Sequence, residues 1–261
     1  MHIFDDPSVS PRVRNLLLTY GKRITATPTE QIKALGCSVD QTGTSVPIPP
    51  SVVTAMVDFE ERYGGLFYGM PGENGMDHGL EGEMEARETL YGWAFPAIVD
   101  GDWTWGVDVL EDGRVAMALS PPIPYQIINR SVEQRLESHA LLAVVRSWPH
   151  RAFGLTVDTS EIPVIASDEL PPVVPEATGP ADLWWYDDET AVHLQLGSWW
   201  GDHDTWVLRC FAKRLEPLNK ILAASRRAAT GLPTMERDWC GLCGRRVRLE
   251  EICLWQPSAE D

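Results

Sequence analysis

The sequence predicts an α+β fold, and three observations carry that expectation. Apolar residues recur at helical spacing in blocks bounded by caps and glycines. Short runs rich in Val, Trp and Tyr lie between those blocks and read as strands. Asp112-Gly113 separates two such runs, and Asp-Gly supplies the positive φ that a tight hairpin turn needs. Helices, then an antiparallel meander, then a packing helix is an α+β order rather than an alternating α/β one.

Ser10-Pro11 opens the first helix as N-cap and first helical residue. Val13, Leu16, Leu17 and Tyr20 form its apolar face, and Gly21 stops it. Thr27-Pro28-Thr29-Glu30 reads as a capping box, followed by Ile32 and Leu35 of a second helix that Gly36 ends. A polar loop runs from Ser38 to Ser45. Pro49 and Pro50 then impose extended backbone, and Ser51 is the expected N-cap of a third helix. Val52, Met56, Phe59 and Tyr63 fall on one face of it. Gly64 is expected at the left-handed position after the helix, and Leu66-Phe67-Tyr68 as a strand.

Residues 69–90 are rich in glycine and acid and show neither period, so they read as a long loop. Acids near His78 raise a cation site, but their spacing fits no EF-hand. A partner-binding loop is the specific reading, and simple solvation the plain one. Strands resume at Tyr91–Ala97, Thr104–Leu110 and Arg114–Leu119. Ser131, with Gln134 as reciprocal partner, caps a helix that buries Leu136, Ala140, Leu141, Val144, Val145 and Trp148 before Pro149 ends it.

The organisation expected is a domain over 1–150, a Pro-rich linker or strap over 151–180, and an α+β extension over 181–261 with a Cys-containing tail. Leu183–Tyr186, Ala191–Ser198 and Thr205–Phe211 read as strands, and Glu216–Ala229 as a helix with Leu218, Ile221 and Leu222 inward. Trp184, Trp185, Trp199, Trp200 and Trp206 crowd this unit; core is the plainer reading, a stacking surface the other.

Ile48-Pro49, Phe59 and the Tyr63-Gly64-Gly65 turn are followed by Trp93-Ala94-Phe95-Pro96, by Gly106-Val107-Asp108-Val109 with its return strand, and by Ser131 to Leu136. That succession resembles the SUKH superfamily: immunity proteins against bacterial polymorphic toxins, with the yeast cell-wall assembly regulator among its relatives. The resemblance covers roughly residues 11–148. It implies a SUKH-like antiparallel sheet packed with helices. It also implies a non-enzymatic cytoplasmic immunity protein, without a required cofactor, that binds a cognate toxin domain and blocks its active site. Nucleases, which tend to be basic, are a common target. The alternatives are an interaction adaptor or regulator and, third, a metal-dependent hydrolase using the acidic loop or Asp202-His203-Asp204.

Composition bears on partner and compartment. Net charge is −16, and residues 51–130 alone hold 14 Asp/Glu against 4 Lys/Arg. Such a field disfavours nucleic acid and favours a basic protein, although acidity also serves solubility. The expected partner-facing residues are Glu73, Asp77, Glu81, Glu83, Asp100 and Asp102, with Tyr68, Trp103 and Trp105 as aromatic anchors. No apolar run approaches a membrane span, and the N-terminus lacks the basic and apolar regions of a signal peptide. Five cysteines fit a reducing cytoplasm better than a disulfide framework. Cys240-Gly-Leu-Cys243, with Cys253 as a third ligand, has half of a zinc-site spacing; free thiols in a tail are the plainer reading. No phosphate-binding, dinucleotide-binding or nucleophile-elbow motif is present.

Overall fold

The computed structural model describes residues 1–39, 43–71, 78–100, 107–117, 125–159, 168–200, 203–228, 238–239 and 246–247. Helices and antiparallel sheets together make an α+β protein. The chain divides into two compact units, Met1–Ala140 and Leu141–Asp261. The division expected at residue 150 thus falls earlier, inside a helix. Leu141, Val145 and Trp148 at the end of that helix sit in the apolar cluster of the second unit.

In chain order the first unit carries α1 (Pro11–Tyr20), β1 (Gly21–Arg23), α2 (Thr29–Leu35), β2 (Cys37–Val39), β3 (Ser45–Pro47), α3 (Pro50–Tyr63) and β4 (Leu66–Tyr68). These are followed by β5 (His78–Leu80), β6 (Arg87–Thr89), β7 (Gly92–Asp100), β8 (Val107–Leu110), β9 (Val115–Met117), β10 (Gln126–Asn129) and the start of α4 (Val132–Arg146). Ser10 caps α1 as its type allows: its hydroxyl accepts from the Val13 N–H at 3.1 Å. The helix α2 starts later than a capping box at Thr27 requires. Pro28 precedes it without a side-chain cap, and the Thr27 N–H instead donates to Glu60 at 2.6 Å. Likewise α3 begins at Pro50, so Ser51 lies inside it; a proline in the first turn forfeits an N–H that would have had no partner there. Val52, Met56, Phe59 and Tyr63 are all buried, as their spacing predicts.

The turn after α3 works through the second glycine, not the first. Gly64 has φ −53°, an ordinary value, and Gly65 has φ +74°. Gly64 is needed for space: a Cβ there would lie 2.4 Å from the Glu60 carboxyl group. Glu60 is buried and bridges two loops, accepting from the N–H groups of Thr27 and Gly82 (3.0 Å). Burial raises its pKa above the usual carboxylate value.

One eight-stranded antiparallel sheet organises this unit, in the order β1-β4-β5-β7-β8-β9-β10, with β6 also on β7. The long strand β7 recruits two short ones along one edge: β5 against residues 98–100 and β6 against 92–94. The expected loop over 69–90 therefore contains two strands. Each has three residues, too few to show a period, and the pairing that makes them strands is tertiary. Gly79 belongs in β5 because the Phe67 ring occupies the place its Cβ would take. On one face Phe95 packs edge-on against Phe59 of α3, with ring centroids 5.7 Å apart. On the other, Tyr125 and Ile127 cover Ala94, Leu110 and Ala116. There the buried Asp108 accepts from Arg87 at 2.6 Å and from the Tyr125 hydroxyl at 2.9 Å.

The second unit carries β11 (His150–Thr159), β12 (Asp182–Tyr186), β13 (Thr190–Trp200), β14 (His203–Ala212) and α5 (Leu215–Ala228). Its sheet runs β11-β14-β13-β12, all antiparallel. The linker expected over 151–180 is thus a sheet strand in its first part. Further on it is a strap: the Tyr186 N–H donates to Pro172 and the Val174 N–H to Trp184, both at 2.9 Å, so Pro171–Pro175 runs along the β12 edge. Prolines suit that place because they have no N–H to offer a ladder. Trp184, Trp185 and Trp206 are buried, as core. Trp199 and Trp200 have side chains outside the described residues. No helix among the described residues is long and apolar enough to cross a membrane.

Gly65→Ala is expected to destabilise by about 1–3 kcal/mol, because the left-handed backbone is strained for alanine and its Cβ would lie 2.5 Å from the Ile24 carbonyl. Gly92→Ala, also at positive φ but with open space around the added atom, should cost about 1 kcal/mol or somewhat more from backbone strain alone, and less than Gly65→Ala. Urea unfolding of both variants checks the difference.

Candidate functional site

Two places in the first unit gather chemistry. The first is interior. In the antiparallel register, Tyr68 faces His78 across β4 and β5, and His78 faces Asp100 across β5 and β7. Cross-strand neighbours share a face of the sheet, so the three side chains form a row. Arg135 and His139 of α4, four residues apart on one helix face, close over it. All five are buried, Tyr68 at 1 % exposure and Asp100 at 7 %.

The contacts bind the row to the helix. His78 Nδ1 lies 3.3 Å from Asp100 Oδ1, and the Arg135 guanidinium is paired with Asp100 Oδ2. The Tyr68 hydroxyl is hydrogen-bonded to His139 Nδ1 at 2.8 Å. Tyr68 stacks on His78 with centroids 5.2 Å apart, and His78 meets His139 at 4.7 Å. Ligand atoms of His78, Asp100 and His139 lie within 4.8 Å of one another, an arrangement that can hold a metal ion.

The second place is a groove of about 790 Å³ between α3, the β8–β9 turn and the start of α4. Phe59, Tyr63, Phe95 and Val109 make an apolar floor. Asp58, Glu61, Glu111, Asp112 and Glu133 stand around it. Arg62 is the one cationic side chain in its lining among the described residues, and it is engaged by Asp6 at 2.6 Å and Glu133 at 3.7 Å. The Tyr63 hydroxyl donates to Glu133, and its burial beside that carboxylate pushes the phenol far above its usual range.

These positions change the expected partner surface. Glu81 and Glu83 are exposed. Tyr68 and Asp100 were expected to face a partner and are instead interior: Tyr68 hydrogen-bonds His139, and Asp100 neutralises Arg135. Glu73, Asp77, Asp102, Trp103 and Trp105 lie outside the described residues, as do Cys240, Cys243, Cys253 and Asp202. The short antiparallel pair Asp238–Trp239 and Arg246–Val247 flanks Cys240 and Cys243 in sequence. Arg135 and His139 carry no signal of their own in the sequence, because the first half of α4 also holds Glu133, Gln134, Glu137 and Ser138, and only packing against the sheet distinguishes them.

A third polar cluster lies in the core of the second unit. His193 stacks on Trp184 with ring centroids 3.9 Å apart and hydrogen-bonds Asp182 at 2.5 Å. Arg209 approaches from the neighbouring strand and donates to Gln195 at 2.7 Å. Burial lowers the His193 pKa in spite of Asp182. The unfolded chain then takes up a proton near the ordinary value of 6.5 while the folded one resists it. Stability from this group is complete above that value and is lost as pH falls below it. His193→Gln should abolish this component. The check is the difference between wild-type and variant unfolding free energies, which should narrow as pH is lowered through 6.5.

No family model, no curated protein and no solved structure matches this chain.

Proposed function

We propose that this chain is a non-enzymatic binding protein whose acidic groove receives a basic surface of a protein partner. Its SUKH-like sequence features support a toxin domain as that partner, so the reading is an immunity protein that binds and blocks a toxin. The observation that carries it is the groove itself: five carboxylates around an apolar floor, with Arg62 already engaged. Exposed acids accelerate encounter with a basic surface, and a concave apolar floor gives a partner side chain area to bury once seated. Binding of this kind needs no cofactor. The residues that matter differ from those the sequence alone singled out, since the rim is built from α3, the β8–β9 turn and α4.

The test is a binding-rate series with the toxin domain encoded beside this gene. The triple variant Asp58→Asn/Glu61→Gln/Glu111→Gln should associate roughly tenfold more slowly and with a weaker salt dependence, its dissociation little changed. Glu81→Gln/Glu83→Gln should leave the rate near wild type. If that pair slows association and the groove variant does not, the surface lies along the β5–β6 edge. If the full chain binds no such domain, the immunity reading gives way to that of an adaptor or regulator.

A further inference from the structure

We propose that His78, Asp100 and His139 form a binding site for one divalent cation of borderline softness, zinc foremost. Two imidazoles and a carboxylate are the donor set such ions take, in preference to the all-oxygen cages of calcium and magnesium. The donors come from three elements that the fold brings together: β5, β7 and α4. Their ligand atoms already lie within 4.8 Å of one another. The His78 Nδ1 to Asp100 Oδ1 separation of 3.3 Å matches the edge of a tetrahedron with metal bonds of about 2.0–2.1 Å. His139 has to close by a small side-chain rotation to complete three ligands.

The surroundings supply what metal ligands ordinarily need around them. A ligating histidine is oriented by a partner on its other ring nitrogen, and a ligating carboxylate by a hydrogen-bond donor. Here the Tyr68 hydroxyl holds His139 Nδ1, and in the tautomer protonated at Nδ1 that bond leaves the Nε2 lone pair for the ion. Arg135 holds the Asp100 oxygen other than the one nearest His78, and Asn129 accepts from Arg135 in turn at 3.4 Å. Arg135 also adds positive charge next to the ion, so the site should bind more weakly than a thiolate site, and reversibly. The competing account of the same geometry is a metal-free network in which the His78 ring pairs directly with Asp100.

The test uses all 261 residues of the chain, stripped with chelator and then titrated with zinc and with cobalt(II). The wild type and Cys240→Ser/Cys243→Ser should each take up about one equivalent at this site, with zinc raising the melting temperature. In the cysteine variant cobalt should give visible bands of low-coordinate nitrogen and oxygen ligation, without thiolate charge transfer. His78→Gln and His139→Gln should lose both effects while keeping the far-ultraviolet circular dichroism of the folded chain. No uptake by the wild type overturns the proposal, as does unchanged uptake in the histidine variants. Loss of all binding in the cysteine variant would place the metal in the tail and overturn it too. If the histidine variants do not fold, the cobalt spectrum of the cysteine variant decides: bands support the site, and their absence overturns it.

Discussion

A carboxylate taken out of water costs several kcal/mol unless a cation and hydrogen bonds accompany it. Asp100, at the end of the longest strand of the first unit, lies under that constraint. Its solution fixes much else. Arg135 must come from above the sheet, so α4 has to cross β5 and β7 with one particular face down. His78 must stand beside Asp100, so β5 has to pair with β7 in this register. The apolar contacts of α4, through Leu136 and Ala140, do not specify position so tightly, because hydrophobic packing tolerates exchange of similar volumes. Turning α4 by one residue would bring Leu136 over Asp100 and leave its charge unmatched. Removing one partner of a buried pair costs roughly 3–5 kcal/mol, more than most single apolar contacts return.

How far the sequence foretold this depends on the range of the forces involved. Helices α1, α3 and α4 were legible because caps and 3.6-residue spacing are local, and Ser10 and Ser131 do cap where their types predict. Strands β12, β13 and β14 are legible from their own alternation and aromatic content, whereas β11, equally long, reads as part of the linker and becomes a strand by pairing with β14. The short strands β5 and β6 are not legible, since their pairing energy comes from β7 and not from their own residues. The sequence points to Gly64 as the left-handed residue where the structure has Gly65, because two adjacent glycines satisfy the same local rule. What separates them is the setting of Gly65, whose N–H donates to Leu80 and whose Cβ position is filled by the Ile24 carbonyl, a tertiary fact.

The interior row shows the same limit more sharply. Tyr68 and His139 stand 71 positions apart in the sequence, with His78, Asp100 and Arg135 scattered between them, yet the sheet and α4 make the five neighbours. His78 drew notice for the acids beside it in sequence, yet its actual acidic neighbour comes from β7. Tyr68 reads as a surface anchor because aromatic residues often are, but a strand residue flanked by Leu66 on the same face belongs to the core.

Charge counting meets a related difficulty. The 14 acids of residues 51–130 were one number in the sequence, but they do different work. Glu60, Asp100 and Asp108 are buried, and each has its own satisfaction: backbone amides for Glu60, Arg135 for Asp100, Arg87 and Tyr125 for Asp108. These three hold loops and strands in place and contribute little to the field outside. Asp58, Glu61, Glu81, Glu83, Glu85, Glu88, Glu111 and Asp112 are exposed, and they set that field. The exposed acids fall into two groups, one along the β5–β6 connection and one around the groove. Coulomb attraction alone does not choose between them, since water and salt screen both alike. The groove differs in having an apolar floor beneath the charges, where a partner that has been drawn in can also exclude water. Attraction without burial gives fast encounter and weak complexes, so the place where both coincide is where a lasting one should form.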